Sequence, residues 1–319
     1  MTDWLYVLGR AGIDQYTARI TNIEPYGTAY KNLGGMTETA YNVKTVDADV
    51  MLGIDKDFGE KFSTKTILGA NSNSFTNERT ELNGQNFVIT SLEDISNVDT
   101  KNYTYKLNKT KKGSLYFSTE LSYDSYLFLT VTGRNDWFST LSLAGKSAPN
   151  SYFYPSASAS FLFSDAFEMP EWLTYGKLRA GYSEIGGGAK DPYALSLVYG
   201  ITDTYTATGP STSLGSIGGV NPDQLPNIAL KPFLKSEYEI GFNFKFFDNR
   251  LGLDFAYYNN KTTDDIVPIT ISRTTGYTSA VVNIGEVTNK GLEILLTGTP
   301  IETDNFSWNA TYNFGYNEN

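Results

Sequence analysis

Residues 236–260, SEYEIGFNFKFFDNRLGLDFAYYNN, alternate between apolar and polar side chains on both sides of the pair Asp248-Asn249. A two-residue turn at that pair predicts an antiparallel hairpin in which every apolar side chain lies on one face. The predicted cross-strand pairs are Phe246 with Leu251, Phe244 with Leu253, and Phe242 with Phe255. The segment is therefore a two-faced hairpin, and its apolar face must meet either a protein core or lipid.

The same period-two pattern recurs along the chain, and no repeat of helical period extends over a useful length. It predicts eleven strands, at residues 4–16, 42–56, 61–72, 113–123, 125–137, 151–163, 173–185, 235–247, 250–261, 284–298 and 305–317. Three further hairpins keep their apolar side chains on one face if their turns are centred on Phe58, Asp124 and Ile301. The pairs expected for these turns are Ile54 with Phe62 and Ala48 with Leu68, Leu121 with Leu127 and Phe117 with Val131, and Leu296 with Phe306 and Ile294 with Trp308.

The connections between the predicted strands alternate in length along the chain. Every second connection is a tight turn, and the others are long or of medium length, at residues 17–41, 73–112, 138–150, 186–234 and 262–283. A soluble sandwich has no reason to sort its loops in this way. An up-and-down barrel in an outer membrane has short periplasmic turns and long extracellular loops.

Tryptophan residues lie at the ends of predicted strands. Trp137, Trp172 and Trp308 share the apolar face of their own strands, and Trp4 also lies at a strand end. Such aromatic borders are typical of membrane interfaces, although single rings at these places would also fill the ends of a soluble barrel. Because so many strands cannot wrap one compact core without leaving a wide interior, we predict an all-β, antiparallel up-and-down transmembrane β-barrel with a polar, water-filled lumen.

The composition disfavours several classes of function. The formal net charge of −10 disfavours a nucleic-acid partner, which requires basic side chains. The sequence contains no His and no Cys, which removes His-based triads and the common zinc sites. No apolar run approaches the roughly 18 residues of a membrane-spanning helix. The carboxylates suggest no facing pair of the kind that glycoside hydrolysis needs, so we expect no enzyme, no cofactor and no metal.

Two motifs invite a functional reading. In GRNDW (133–137), Arg134 and Asp136 could form a polar pair at the extracellular rim, although a strand end with Asn-Asp turn chemistry is the favoured interpretation. IGGGAK (185–190) lacks the spacing of a phosphate-binding loop and is interpreted as a flexible strand-to-loop junction.

The 186–234 connection is the predicted place of ligand contacts. Its aromatic rings, amides and carboxylates suit sugar rings, whose C–H faces stack while their hydroxyls take hydrogen bonds. Packing of the same rings within the loop is the alternative. The candidate substrate-binding residues are Tyr193, Tyr199, Tyr205, Asn221 and Asp223.

Several stretches resemble one family, the SusC/RagA-type TonB-dependent outer-membrane transporters of Bacteroidetes. They are LTVTGRNDWFSTL (129–141), SYFYPSASASFLFSD (151–165), YGKLRAGYSEIGGGAKDPY (175–193), LKSEYEIGFNFKFFDNRLGLDFAYYNNKTTDDIV (234–267) and the stretch 272–319. The resemblance implies a large barrel plugged by an N-terminal domain and closed by a SusD-type surface lipoprotein. It also implies import of oligosaccharides or peptides with energy delivered through TonB.

The sequence departs from the full family pattern. No plug domain, TonB-contacting segment or signal peptide is recognisable, and eleven strands are about half of the 22 found in a plugged transporter. We therefore expect residues 1–319 to be one barrel segment that lacks the C-terminal strands, resides in the outer membrane and cannot transport alone. A soluble all-β carbohydrate-binding or glycan-degrading domain is the alternative.

Overall fold

The structure is a computed structural model that describes residues 2–146, 148–192, 194–196 and 224–319. Within these residues the chain is almost entirely β-structure, with one helical turn, α1 (Phe163–Ala166). The strands are β1 (Leu5–Glu24), β2 (Gly35–Phe58), β3 (Phe62–Phe87), β4 (Val98–Tyr123), β5 (Leu127–Phe138), β6 (Ser151–Leu162), β7 (Leu173–Gly187), β8 (Gln224–Leu225), β9 (Phe233–Phe246), β10 (Leu251–Thr263), β11 (Ile266–Thr270), β12 (Ser279–Asn283), β13 (Glu286–Thr303) and β14 (Phe306–Glu318).

Eleven of these strands form one sheet, in the order β1-β2-β3-β4-β5-β6-β7-β9-β10-β13-β14. Strands that are neighbours in this sheet also follow one another along the chain when the three small strands are left out. These small strands form a second sheet, in the order β11-β12-β8. The eleven predicted strands and their all-β, antiparallel class are confirmed. Among the residues that the structure describes, no helix is long and apolar enough to cross a membrane.

The hairpin of β9 and β10 has the predicted register. Phe246 pairs with Leu251, and the next pairs along the two strands follow the same register. Asp248 and Asn249 adopt left-handed φ angles of 55° and 69°, and the Arg250 N–H donates to the Phe247 carbonyl oxygen at 3.1 Å. Asp and Asn tolerate this backbone conformation better than most residues, which explains why the chain reverses at this pair.

The register predicted around Ile301 is wrong. Leu296 pairs with Tyr312 rather than Phe306, and the chain reverses only after Thr303. A β-bulge between Gly298 and Ile301 carries the strand past the predicted turn. A register shift by an even number of residues leaves each side chain on its face, so alternation alone could not locate the turn.

The other two predicted turn centres are also displaced towards the C terminus. Phe58 is the last residue of β2, so the turn is at residues 59–61, and the β4–β5 turn is at residues 124–126. The two turns are joined, because the Asp124 N–H donates to the Lys61 carbonyl oxygen at 2.6 Å and Lys61 Nζ lies 2.8 Å from Asp124 Oδ2. The ion pair raises the pKa of the Lys61 ammonium.

The chain divides into two compact units. Unit 1 comprises Met1–Leu8, Val50–Ala70 and Gly113–Asn319, and unit 2 comprises Gly9–Asp49 and Asn71–Lys112. Unit 2 therefore contains the parts of β1–β4 that adjoin the connections 25–34 and 88–97. Because β1–β4 are 20 to 26 residues long, these strands run far beyond the predicted ones.

In unit 1 the two faces of the sheet differ in chemistry. Side chains such as Ile240, Leu178 and Phe153 lie on the apolar face and are about half exposed. The opposite face carries hydroxyl pairs between neighbouring strands, for example Thr132 with Ser156 at 2.6 Å. The apolar strand residues of this unit are thus spread over an exposed face, and its buried cluster lies instead at the long connections.

Aromatic rings contact one another along the apolar face near the short turns. One series of contacts has centroid distances of 4.7 Å for Phe62–Tyr123, 5.5 Å for Tyr123–Tyr126, 6.0 Å for Tyr126–Phe161 and 6.1 Å for Phe161–Phe167, and the separate pair Trp172–Phe246 has a distance of 6.0 Å. Trp172 and Trp308 are exposed at this end, and Trp137 is exposed at the other end of β5. The expected aromatic borders are therefore present on the apolar face.

In unit 2, strand β3 is polar on both of its faces. The even positions of β3 from 72 to 80 are Ser, Ser, Thr, Glu and Thr, and its odd positions include Asn73, Arg79 and Asn83. Cross-strand hydrogen bonds tie the polar side chains together, such as Asn73 Nδ2 to Asp47 Oδ2 at 2.8 Å and Asn83 Nδ2 to Thr37 Oγ1 at 2.7 Å.

Candidate functional site

Three long connections of unit 1 fold onto one another and form a loop platform, defined here as residues 138–146, 224–232 and 264–285. Its scaffold is the small sheet, in which β11 pairs antiparallel with β12 from Ile266–Asn283 to Thr270–Ser279. Strand β8 pairs parallel with β12 through Gln224 and Leu225. The connection predicted as a loop at 262–283 therefore contains two strands, which were missed because each has only five residues.

The buried cluster of unit 1 holds the loop platform against the ends of β5, β6 and β7. Leu141 and Leu230 are fully buried within it. The other members of this cluster are Phe138, Tyr154, Ala189, Leu195 and Val281. Because these residues come from four separate connections or strand ends, burial of their apolar surface ties the connections into one body.

Close packing explains why the IGGGAK segment contains glycines. A Cβ atom on Gly186 would lie 2.5 Å from the Tyr154 ring, and one on Gly188 would lie 2.9 Å from the Phe138 ring. β7 ends at Gly187, which confirms the predicted strand-to-loop junction. The junction is close-packed, and any larger residue would push the rings of the buried cluster away.

Asparagine side chains cross-link the backbone of the platform. Asn283 accepts from the Lys231 N–H at 2.9 Å and donates to the Lys231 and Asp264 carbonyl oxygens at 2.9 and 2.8 Å. Asn227 donates to the Val281 carbonyl oxygen at 2.9 Å and accepts from the Ala229 N–H at 2.9 Å. Both amides are thus used within the protein, which explains how irregular loops satisfy their backbone groups.

Lys146 joins two of the connections directly. Its ammonium group donates to the Leu141 carbonyl oxygen at 2.8 Å and to the Leu230 carbonyl oxygen at 2.6 Å, 84 residues further along the chain. Burial lowers the pKa of the Lys146 ammonium. A charged group bound to two neutral carbonyls in this position acts as a clamp between loops.

Arg134 and Asp136 form the pair that the sequence suggested. Arg134 Nε donates to Asp136 Oδ1 at 2.6 Å, and Arg134 Nη2 donates to Ser114 Oγ at 2.6 Å. The guanidinium also lies 5.5 Å from the centroid of the Tyr116 ring. The favoured interpretation is right about the strand end, because β5 ends at Phe138. Its Asn-Asp turn chemistry is wrong, because residues 133–137 all belong to the strand, where positions two apart share a face.

The carboxylate of this pair is buried next to the platform. Asp136 is 4% exposed, and its strand partner Tyr152 stacks on Tyr154 with a centroid distance of 5.3 Å. The Tyr154 hydroxyl is buried and has no hydrogen-bond partner among the described residues. The pair therefore connects the polar face of β4–β6 to the buried cluster.

A second charged group lies on the polar face of β7, β9 and β10. Arg179 donates to Asp254 Oδ1 at 3.0 Å and to Glu239 Oε1 at 3.2 Å, and Asn243 donates to Asp254 Oδ2 at 2.7 Å. A cavity of about 290 Å³ lies on one side of Arg179 and one of about 420 Å³ on the other. Charged side chains line both cavities, together with hydroxyl groups in the smaller one and the Asn313 amide in the larger one, so this face can hydrogen-bond polar molecules.

The predicted substrate-binding residues Tyr193, Tyr199, Tyr205, Asn221 and Asp223 lie outside the described residues. The sequence missed Lys146, Asn283 and Arg179, whose roles depend on partners far away in the chain. Only Arg179 could have been found from the sequence, because the alternation of apolar and polar residues in β7 puts it on the polar face. Among the residues that the structure describes, no group of three acidic side chains could hold a metal ion.

A family model described as TonB dependent receptor-like, beta-barrel, matches residues 3–319. The chain belongs to this family. TonB-dependent receptor P26 of Formosa agariphila is 28% identical over 309 residues, which cover 94% of this chain and 30% of that protein. TonB-dependent receptor P3 of the same organism is 29% identical over 215 residues, or 67% of this chain and 20% of that protein. This receptor-family chain thus spans a third or less of the length of these relatives.

Solved structures have the same fold. A chain in the structure of the RagAB peptide transporter matches with a TM-score of 0.84 and 18% identity over 99% of this chain and 35% of that chain. The outer membrane transporter YddB from Escherichia coli matches with a TM-score of 0.64 and 14% identity, over 99% of this chain and 40% of that chain. The resemblance to SusC/RagA-type receptors is confirmed at the level of family and fold.

Proposed function

We propose that the chain forms part of the barrel wall and extracellular loops of a TonB-dependent importer in the outer membrane of a Bacteroidetes-type bacterium. The observation that carries this proposal is the two-faced sheet of unit 1. Its apolar face is exposed and has aromatic borders, and its opposite face holds hydroxyl pairs and the Arg179 group. Such a face is stable against acyl chains, whereas a soluble carbohydrate-binding or glycan-degrading domain would enclose it in a dry core.

The proposed substrates are oligosaccharides or peptides. Both are rich in hydrogen-bonding groups, and the polar face of unit 1 offers hydroxyl, carboxylate and guanidinium groups to them. The similar RagAB structure is named a peptide transporter. We place the ligand contacts in the connection that contains Tyr193, Tyr199, Tyr205, Asn221 and Asp223, with Arg134 and Asp136 at the extracellular rim.

The proposed partners follow from the same assignment. A plug domain would occupy the polar lumen, TonB would act through that plug, and a SusD-type surface lipoprotein would close the long-loop end. Residues 1–319 would then supply about half of the barrel and none of the energy-coupling parts. Outer-membrane lipid would cover the apolar face, and no nucleic acid, cofactor or catalytic step is part of the proposal.

Quenching of tryptophan fluorescence tests the orientation of the apolar face. The full-length receptor is refolded into phospholipid vesicles that carry bromine at defined depths in the acyl chains. We expect lipids brominated near the headgroup to quench Trp172 and Trp308 more strongly than lipids brominated near the bilayer centre. Equal fluorescence in brominated and unbrominated vesicles would refute lipid contact.

Uptake by cells tests the transport assignment. Cells that carry the full-length receptor gene should accumulate labelled oligosaccharide or peptide, and deletion of the gene or of TonB should abolish accumulation. Uptake that persists without TonB would contradict an energy-coupled importer.

A further inference from the structure

Strand β4 carries a run of lysines although the chain as a whole is acidic. The formal net charge is −10, yet residues 100–119 include five Lys and no Asp or Glu. Lys109 and Lys111 are exposed and lie at odd positions of β4, like Leu115 and Phe117. Because positions two apart share a face, the two lysines lie on the face that carries the apolar series of this strand.

Strand β2 has the same order of side chains on one face. Its even positions read Lys44, Val46, Ala48 and Val50, and Lys44 is exposed. On leaving the apolar series of each strand towards the long connections, a lysine is the first charged side chain, Lys44 in β2 and Lys111 in β4. Positive charge therefore marks the end of the apolar series in both strands.

The register of β2 against β3 brings Lys44 beside a hydroxyl group. The hydrogen bonds that Asn73 and Asn83 donate to β2, described above, fit a single register. This register sets Lys44 opposite Thr76, whose side chain is partly exposed. Directly opposite residues of an antiparallel pair have their side chains on one face, so the ammonium and the hydroxyl are neighbours.

The register of β3 against β4 brings a second lysine to the same threonine. At one end of the pair, Ser63 Oγ lies 2.6 Å from Ser122 Oγ. At the other end, the Val88 N–H donates to the Asn97 carbonyl oxygen at 2.9 Å. The two contacts agree in register, and this register sets Lys109 opposite that threonine.

Lys44, Thr76 and Lys109 therefore form a basic row across three strands. Neighbouring strands lie about 4.8 Å apart, so the Cα atoms of the two lysines are about 10 Å apart on one face. Lysine side chains are long and flexible, so both can reach a group held above the central hydroxyl. Lys111 lies two positions along β4 on the same face and adds a third cation.

The two lysines of the basic row form no ion pair within the residues that the structure describes. Asp47 and Asp49 lie at odd positions of β2 and thus on the opposite face. Glu78 lies two positions along β3 from the row, and its Oε1 accepts from the Tyr105 hydroxyl at 2.9 Å. The row thus presents two unpaired ammonium groups and a hydroxyl, all of which can donate to an oxyanion.

The position of the basic row favours a lipid headgroup over a free anion. Phosphate is a strong acceptor, and lysine binds it as a point charge. Under the proposed function the apolar series of β2 and β4 meets acyl chains, so the next group along the same face is the headgroup. Basic side chains beside a membrane attract anionic headgroups, with a gain in affinity of roughly fivefold for each lysine.

We propose that the basic row of unit 2 binds the phosphate of an anionic lipid headgroup in the outer leaflet. The inference rests on the proposed function, which puts lipid against the apolar face. It adds a headgroup site and the residues that form it. Lys44 and Lys109 would hold the phosphate from two sides, the Thr76 hydroxyl would donate to it from below, and Lys111 would strengthen the local positive potential.

The test measures lipid binding to the full-length receptor in detergent by native mass spectrometry. The probes are dioleoyl phosphatidylglycerol and dioleoyl phosphatidylcholine, which share acyl chains and differ in headgroup charge. The wild type should bind phosphatidylglycerol about tenfold or more tightly than phosphatidylcholine. Lys44→Gln/Lys109→Gln should remove this preference by weakening phosphatidylglycerol binding alone. Unchanged binding of phosphatidylcholine also reports that the double variant is folded.

A matched control separates the basic row from general charge attraction. Lys101→Gln/Lys106→Gln removes the same charge from the same strand, outside the row, and should bind phosphatidylglycerol within twofold of the wild type. A loss as large as that of the row variant would refute the row as the site. Millimolar inorganic phosphate should not displace phosphatidylglycerol, and displacement would assign the row to a soluble anion instead of a lipid.

The outcomes distinguish this inference from the proposed function. If the wild type binds both lipids equally, or the row variant keeps the preference, the headgroup site is refuted and the importer proposal stands. If the wild type binds neither lipid, contact between the apolar face and lipid is contradicted, and the proposed function fails as well.

Discussion

The two units contain stretches of the same strands but differ in what their side chains face. In β2, the series Val50, Leu52 and Ile54 of unit 1 is apolar, whereas the same face in unit 2 carries Glu38, Asn42 and Lys44. Backbone pairing is β in both units, so the difference lies in the side chains that each face carries. The comparison teaches that apolar alternation does not mark strand length in this chain, and under the proposed function it marks the face that meets lipid.

An arginine on the apolar face should have the largest effect on the free energy of unfolding. A small effect there would contradict the comparison of the two units. Ile240→Arg in unit 1 is expected to lower the free energy of unfolding in vesicles by about 2–4 kcal/mol, because it places a charge among acyl chains. Ile13→Arg changes a similarly exposed residue of unit 2 and should alter stability by less than about 0.5 kcal/mol. Denaturant titration in phospholipid vesicles measures both. Equal effects at the two sites would show that the units do not differ in solvent.

Loss of the Arg179 guanidinium, which lies on the polar face, should have the next largest effect on the free energy of unfolding. Arg179→Met leaves Asp254 and Glu239 without their shared cation and should destabilise the receptor by about 2 kcal/mol, since both carboxylates are partly shielded from water. Lys261→Met removes an exposed ion pair with Glu286 and should have an effect below about 0.5 kcal/mol. The same titration compares the two. An Arg179→Met variant as stable as the wild type would mean that the polar face is fully hydrated.

The clamp formed by Lys146 should affect the loop platform alone. Lys146→Met loses two hydrogen bonds to carbonyl oxygens, so local opening should become easier by about 1 kcal/mol. Hydrogen exchange at the Leu230 amide, which donates to the Asn227 carbonyl oxygen, reports this opening. Lys231→Met, which removes only an exposed pair with Asp264, should change that exchange less. Faster exchange throughout the strands of unit 1 would contradict a local role.

The smallest effect should come from acidification and should be confined to unit 2. Hydrogen bonds from the Ser96 hydroxyl and backbone N–H lower the pKa of Asp94 from 3.8. A carboxylate with a lowered pKa stabilises the folded connection at residues 88–97 above pH 3.8, and that contribution is lost as the pH falls through the folded pKa. Methyl NMR signals of Leu92 should therefore shift only at low pH, and Asp94→Asn should remove the shift. A transition of the same size at neutral pH would argue for a different group.

Much of unit 1 could be predicted from the sequence because its faces differ. Alternation located all eleven strands of the large sheet and gave the register of the β9–β10 hairpin. The β13–β14 turn was misplaced, since alternation is unchanged when the register shifts by an even number of residues. The outer parts of β1–β4 were predicted as loops, and the outer part of β3 is polar on both faces, so it carries no period-two signal.

The functional residues were predicted less completely. Arg134 and Asp136 stood out because they are charged and two apart in a strand, and the structure brings them into contact. Lys146 and Asn283 gave no local signal, since their partners are backbone carbonyls of distant loops. The assignment of Tyr193, Tyr199, Tyr205, Asn221 and Asp223 to ligand binding stays a prediction.

The sequence by itself determined that this chain forms two-faced antiparallel strands, because side chains alternate across a strand whatever lies beside it. Only the tertiary structure decided where the last hairpin turns, how far β1–β4 extend, and how the loop platform is held together. These features depend on hydrogen bonds and packing between residues far apart in the chain, such as Lys146 and Leu230. Local patterns do not record such contacts.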